Sequence, residues 1–395
     1  MLSLICGSDR INKPGGLLLT IRSFTKHPLT SVVPENESIT RKVMSLKKFA
    51  GKVFDRATDA LDDLSEKIFG EDPLLIVPYR GYGRRDRIFV KGRVQQDEGI
   101  EYVENQGRTR NFLNNLKRFE TDEIPDTDLK ITFANNEFLV RTDAEGYYTL
   151  EVDLPHPLED NDTRWREATV EVLNVPGIED AKGYSVKQDI FFPAEEAKIG
   201  VISDIDDTVL QTHVASKAKM LWVTFFGNAH LRAPLERIPE LYREFVRGKN
   251  QEEDNPIFYV SAGPWNIYDM LIRFMKANDI PRGPLFLQDY NRPNTAMKEQ
   301  FAQHKLVEIE RIISMFPWLN FVMLGDTSGH DADNYLELSG HFPGRVEAVY
   351  IRTVNHAKKD ERVRNIVEAV TDIDVVLVDN TEEIETHARA RHWIK

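Results

Sequence analysis

The chain has a single cysteine, Cys6, in 395 residues, so no intrachain disulfide framework can hold it and a reducing compartment is expected. No apolar run approaches the roughly 20 residues of a membrane-spanning helix. Leu17-Leu-Leu-Thr-Ile21 is too short and too late for a good secretory core. Basic residues are in deficit: 51 Lys and Arg stand against 64 Asp and Glu, a formal charge of −13. That balance argues against nucleic-acid binding and leaves only a local basic patch open. Internal repeats and low-complexity stretches are missing, and the histidines, including His330, His387 and His392, lack metal-ligand spacing. What is there is ordinary: a 41% hydrophobic and 29% charged chain, long enough for two domains with their own cores.

Residues 1–37 are irregular, with Pro14, Gly15, Gly16, Pro28 and Pro34, and are expected to form a poorly ordered leader. Basic residues outnumber acidic ones there, as in a transit peptide. Over 38–70, Ile39, Val43, Leu46, Phe49, Val53, Ala57, Leu61, Leu64 and Ile68 recur at helical spacing and predict one amphipathic helix. Its basic first half (Arg41, Lys42, Lys47, Lys48, Lys52) suits an anionic lipid surface. The same stripe suits packing against protein, and both readings stay open.

From 71 to 194 the period becomes two. Segments 88–94, 129–133, 137–141, 147–154, 168–173 and 184–190 read as strands, interrupted by a helical insertion near 109–119. Strands without alternating helices predict an all-β sandwich, an accessory domain for binding, orientation or regulation that has room for a protein partner. Thr142-Asp-Ala-Glu-Gly-Tyr-Tyr148 resembles the hairpin of transthyretin-like and immunoglobulin-like modules. From 195 to 395, apolar strands at 199–203, 257–260, 284–287, 320–324, 346–351 and 374–378 alternate with amphipathic helices such as 234–247 and 265–278. This is the pattern of an α/β domain with a parallel sheet.

The chemistry collects at the ends of those strands. Lys198-Ile-Gly-Val-Ile-Ser-Asp-Ile-Asp-Asp-Thr208 delivers three carboxylates to one strand tip. Such crowding is costly without a cation or an anion-binding apparatus to compensate it. Asp204 is placed to attack phosphorus, and Asp206 to protonate a leaving oxygen and then activate water. Thr208 would fix the turn or help hold a phosphoryl group; an acidic turn or helix start is the plainer alternative. Ser261 ends a second buried strand and would bond a phosphoryl oxygen or cap a helix. Lys305 offers a positive charge, although a helix lysine is ordinarily solvated. Asp326 ends another strand after Gly325 and suits a second metal ligand; Asp331 would ligate in the outer sphere or orient Lys305. An oxygen-only set of Asp204, Asp206, Asp326 and Asp331 suits Mg²⁺.

The order Asp-x-Asp-x-Thr, strand-Ser, Lys, strand-Gly-Asp-x4-Asp resembles the haloacid dehalogenase superfamily of phosphatases. Longer phrases narrow it: Ser203-Asp-Ile-Asp-Asp-Thr208, Phe225-Phe-Gly-Asn228, Leu241-Tyr-Arg243, Phe258-Tyr-Val-Ser-Ala-Gly-Pro-Trp-Asn266, His304-Lys305 and Tyr350-Ile-Arg352. Together they resemble the actin-patch-type phosphatidate phosphatase family and its bacterial relatives, over about residues 195–380. The resemblance implies a Rossmann-like core with little cap and Mg²⁺-dependent conversion of phosphatidate to diacylglycerol. It implies Asp204 as nucleophile, Asp206 as acid/base, Ser261 and Lys305 at the phosphate, and Asp326 on the metal. Gly263, where a serine is common, and Thr327-Ser328-Gly329 depart from the family pattern and bear on substrate fit. The expected partner is a phosphorylated lipid at a membrane surface, met by a cytoplasmic, peripheral protein. A phosphatase of soluble phosphomonoesters or phosphoproteins and a non-catalytic lipid- or protein-binding scaffold are the alternatives. Leu221-Trp-Val-Thr-Phe-Phe226 is either a wall for an acyl chain or ordinary core.

Overall fold

The computed structural model describes residues 74–96, 123–159, 163–178, 181–209, 234–288, 297–370 and 373–395. The expected leader, the helix over 38–70, the insertion near 109–119 and the aromatic segment 221–226 lie outside them. The chain divides into Met1–Gly70 and Glu71–Lys395, and every described residue belongs to the second unit.

Alternating apolar residues build the first sheet from β1 (Leu74–Pro78), β2 (Gly81–Arg84), β3 (Arg87–Gln96), β4 (Asp128–Phe133), β5 (Asn136–Arg141), β6 (Tyr147–Asp153), β7 (Trp165–Asn174) and β8 (Ser185–Phe191). In β4, Leu129, Ile131 and Phe133 point inward and alternate with partly exposed residues, as a half-buried strand requires. The order is β1-β3-β2-β8-β7-β4-β5, with β6 paired to the other edge of β3. All pairs are antiparallel except β2 with β8. The expected sandwich is, by its hydrogen bonds, one continuous mixed sheet. Long β3 pairs with β2 through its first residues and with β1 through its last, and the outer strands β5 and β6 meet. The curled sheet encloses Ile88, Val90, Leu129, Ile131, Val170, Val172 and Ile190.

The second sheet contains β9 (Ile199–Ser203), β10 (Ile257–Pro264), β11 (Leu285–Gln288), β12 (Asn320–Asp326), β13 (Val346–Arg352) and β14 (Asp374–Val378). Its order is β11-β10-β9-β12-β13-β14 and every pair is parallel. The helices are α1 (Ile238–Arg247), α2 (Tyr268–Ala277), α3 (Met297–Met315), α4 (Asp331–His341), α5 (Ala357–Glu368) and α6 (Thr381–Ala390). β9 is buried along its whole length, which explains its unbroken apolar run. Gly200 within it is a packing necessity: a Cβ there would sit 2.4 Å from the Phe321 ring. The chain leaves β9 toward β10 and β11 on one side, then returns through β12 to β14 on the other. The carboxyl ends of β9 and β12 therefore flank a topological switch point, where open α/β sheets leave a crevice.

The two sheets share a core. Tyr82 lies 5.9 Å from Phe258, 5.5 Å from Phe286 and 5.8 Å from Phe316 between ring centroids, and Phe191 lies 6.2 Å from Phe258. Large aromatic burial across this seam ties the stability of one sheet to the other. Tyr82→Ala is expected to cost about 3–5 kcal/mol and to lower the denaturant midpoint of both sheets in one transition. Two separate transitions, with only one moved, would show that the seam is not cooperative.

Candidate active site

Asp204 follows β9 directly, and its backbone N–H donates to Leu324 O at 2.9 Å, extending the β9–β12 pairing by one residue. Asp326 ends β12, and Asp331 opens α4 five residues later. Glycine lets them close up: a Cβ on Gly325 would lie 2.6 Å from both Cβ and Oδ2 of Asp331. Asp331 Oδ2 accepts from the Asp326 N–H at 3.3 Å, and Asp326 Oδ1 accepts from the Ser328 N–H. Tyr335, one turn along α4, donates its hydroxyl to Leu324 O at 3.0 Å and locks the helix to the strand.

Lys305 reaches this cluster from α3. Its Nζ lies 2.8 Å from Asp204 Oδ1 and donates to Asp331 Oδ1 at 2.7 Å. The Asp204 contact is an ion pair out of line for a good hydrogen bond, so this buried oxygen keeps bonding capacity. At 8% exposure Lys305 is not the solvated helix lysine that composition favours, and Asp204, at 1%, is not part of an exposed acidic turn. One oxygen each from Asp204, Asp326 and Asp331 lies within 4.8 Å of the others.

Asp206 faces another way. It is half-buried and accepts at Oδ2 from Ser261 Oγ at 3.0 Å, while Ser261 Oγ accepts from the Gly263 N–H at 2.9 Å. Ser261 caps no helix, since the next helical residue is Trp265. Asp207 turns the chain at φ 51°, a left-handed conformation that Asp tolerates better than most residues. Thr208 is buried with its Oγ1 unpartnered among the described residues.

Burial, reinforced by neighbouring carboxylates, raises the pKa of Asp204 well above the usual range, even against the Lys305 charge. Burial likewise pushes Asp206 up to about 6 and Asp326 up to about 7, the latter with help from Asp331. Burial works to lower Lys305, but Asp204 and Asp331 outweigh it and hold the ammonium charged. Three buried carboxylates against one ammonium leave an excess of negative charge on an oxygen-only donor set, which fits a hard divalent cation.

Tyr242 and Arg352 fall inside the phrases Leu241-Tyr-Arg243 and Tyr350-Ile-Arg352, which carry the resemblance without giving either residue a role, and Tyr335 has no local signal at all. Tyr242 OH lies 2.5 Å from Ser203 Oγ, directly before the nucleophile candidate. Arg352 stands in register with Asp326 on the adjacent strand, and its buried Nε has no partner among the described residues. It lines a cleft of about 590 Å³ beside the carboxylates, together with Asp207, Ser328, Lys359, Asn380 and Thr381.

Fold and centre together define a parallel α/β protein that gathers carboxylates and a lysine at a switch point, a place for a cation and an anionic ligand. Residues 199–353 match the family model of the phosphatidate phosphatase APP1 catalytic domain. Phosphatidate phosphatase APP1 of Saccharomyces cerevisiae is 30% identical over 191 residues, covering 45% of this chain and 32% of its own. An uncharacterised protein of Schizosaccharomyces pombe is 25% identical over 224 residues, covering 55% of this chain and 35% of its own. The chain thus spans about a third of the length of these curated relatives. Among solved structures, a carbohydrate acetylesterase from Xanthomonas citri covers 76% of this chain and 68% of its own at 10% identity, with a TM-score of 0.25, too low to carry an argument. Among the described residues no helix is long and apolar enough to cross a membrane.

The raised carboxylate makes a signed prediction. Asp326 is harder to ionise in the folded protein than in the unfolded chain. Stability therefore falls as pH rises from the ordinary value of 3.8 through about 7. In chelator-treated protein, Asp326→Asn, which keeps an acceptor for Ser328, should melt a few degrees above wild type near pH 8. The gain should vanish near pH 4, where the native carboxyl is itself protonated. Thermal melts across pH check this; a gain independent of pH would remove the electrostatic account.

Proposed function

We propose that the chain is a Mg²⁺-dependent phosphatidate phosphatase with a haloacid dehalogenase-like catalytic domain, hydrolysing phosphatidate to diacylglycerol and phosphate at a membrane surface. The observation that carries this reading is the buried Asp204–Lys305–Asp331–Asp326 cluster lying inside the segment that matches the APP1 catalytic domain. Phosphatidate phosphatase is the activity that the yeast relative is named for, and it comes to this chain as a proposal.

In the proposed reaction a carboxylate oxygen of Asp204 attacks phosphorus in line, the ester P–O bond breaks, and an aspartyl-phosphate forms. Asp206, with its pKa pushed up to about 6, keeps a protonated fraction near neutrality and gives that proton to the departing alkoxide. Water then attacks the aspartyl-phosphate, its proton passes back to Asp206, and phosphate leaves Asp204 free. Lys305 holds Asp204 and Asp331 and offsets negative charge as the phosphoryl group enters. Ser261 would orient Asp206 beside the phosphate, and Thr208, whose hydroxyl has no partner among the described residues, would hold a phosphoryl oxygen. Asp204, Asp326 and Asp331, the three carboxylates that converge, would hold Mg²⁺, which when bound would neutralise phosphoryl charge, while Asp206, turned toward Ser261, is left to its proton role. The curled β-module would orient this domain or bind a protein partner.

One observation favours a second reading. The described cleft beside the site is polar, with Arg352, Lys359, Asn380 and Thr381 in its walls, and it would suit a soluble phosphomonoester better than acyl chains.

Assays with Mg²⁺ on phosphatidate in mixed micelles, against glycerol phosphate and p-nitrophenyl phosphate, separate the two. Micellar phosphatidate should be preferred, and Asp204→Asn should lose at least about a thousandfold in kcat. Preference for the soluble esters would sink the lipid reading; turnover that survives Asp204→Asn would sink the mechanism. Asp206→Asn should cost roughly 10²–10⁴-fold on phosphatidate and less on p-nitrophenyl phosphate, whose leaving group needs no proton. Equal losses on both would remove Asp206 from the acid role.

A further inference from the structure

A second cleft, of about 610 Å³, lies at the opposite end of the parallel sheet from the catalytic carboxylates. It is formed by the last turns of α1 and α2 and by the loop that leads into β11, all at the amino-terminal edge of the strands. Its floor is apolar: Val246, Ile272, Met275, Ile280 and Pro281. Its rim carries Arg80, Arg243, Arg247, Lys276 and Arg282. Asp279 is the one carboxylate among the lining residues, so the local charge opposes the chain's −13.

Three of the cations have carboxylate partners that do not line the cleft. Arg243 pairs with Glu240 at 2.9 Å, Arg247 with Glu244 at 4.0 Å, and Arg282 with Asp189. Arg80 and Lys276 contact no carboxylate among the described residues. Arg80 is half-buried, donates from Nη1 to Gly283 O at 3.3 Å, and otherwise rests 5.7 Å from the Trp165 ring centroid. Burial lowers its pKa, and the nearby Arg282 charge adds to the effect. Arg80 comes from the turn between β1 and β2, so the β-module supplies this part of the rim. The loop beneath is well tied: Ile280 N–H donates to Met275 O at 3.0 Å, and Tyr259 OH to Pro281 O at 2.9 Å.

We propose that this cleft binds a single-chain amphiphilic anion, its alkyl chain on the apolar floor and its headgroup on Arg80 and Lys276. The volume lies in the range of small-ligand sites, about 300–1,000 Å³, and an apolar floor with a few convergent charges is their usual chemistry. A neutral amphiphile would leave Arg80 without a counter-charge, and a bare anion would leave the floor wet. The site is separate from the catalytic carboxylates and does not rest on the proposed phosphatase activity.

The test is binding to the full chain, by titration calorimetry below micelle-forming concentrations. The probes are laurate, dodecyl phosphate, dodecyl maltoside and inorganic phosphate. Laurate and dodecyl phosphate should bind with one-to-one stoichiometry, and the other two should not. Dodecyl phosphate alone binding, and losing that binding in Asp204→Asn, would assign it to the catalytic centre and overturn the proposal. Arg80→Gln should weaken laurate roughly tenfold or more, the loss of a charged hydrogen bond. Should Arg80→Gln fail to fold, Lys276→Glu carries the test, since Lys276 is exposed. Binding of the maltoside as tight as laurate, inorganic phosphate binding as tight as dodecyl phosphate, or laurate affinity unmoved by Lys276→Glu would each overturn it.

Discussion

Mutual repulsion among Asp204, Asp326 and Asp331 is the constraint around which the catalytic unit is organised. Burial, and after it the neighbouring carboxylates, raise the pKa of Asp204 and of Asp326, and these groups oppose folding as anions. The fold meets that cost with rigid attachments rather than with solvent. The Asp204 backbone is pinned to β12, Asp331 is drawn in over a glycine, and Lys305 bridges two of the three. One ammonium group cannot balance three anions. The residual negative charge is what fits the centre to a cation, and it keeps the site a net drain on stability while the cation is absent.

A centre of this kind needs a stiff frame, and the hydrophobic residues supply it. β9 is buried on both faces between β10 and β12, so its tip moves only if the sheet does. The first sheet extends this frame through Tyr82, Phe89 and Phe191, which enter the same core as Phe258, Phe286 and Phe316. The β-module is therefore more than an appended binder: the aromatic wall behind β10 and β11 is half its own.

The parts legible in the sequence are those governed by local periodicity. Every strand of the parallel sheet was visible as an apolar run, and the strand-end carboxylates were visible because charge after such a run is expensive. β1 and β2 were harder. Gly81-Tyr-Gly-Arg84 is short and glycine-rich, and its parallel partner β8 lies some hundred residues away. Glycine there answers to crowding, since a Cβ on Gly81 would lie 2.6 Å from Phe89 O. Ser261 was legible as a strand-end hydroxyl, but its bond to Asp206 spans 55 residues and belongs to tertiary structure alone. Lys305 was legible by charge balance and by the His304-Lys305 phrase, but its burial belongs to tertiary structure alone.

The Ser261 bond also divides the work of the two Asp206 oxygens. Ser261 Oγ donates its only proton to Oδ2 and receives the Gly263 N–H, so its direction is set. A proton placed on Oδ2 would oppose that bond; a proton on Oδ1 would not. The acidic proton of Asp206 therefore belongs on Oδ1, away from Ser261. Burial raises the carboxyl's pKa while the Lys305 charge and then the Ser261 hydroxyl lower it, and the balance of about 6 lies between a free carboxylate and a locked acid. A group so tuned can give a proton in one half-reaction and take it in the next. In the proposed mechanism, the hydrogen bond that looks structural fixes which oxygen carries the proton, and with burial and the Lys305 charge it lets one residue serve as both acid and base.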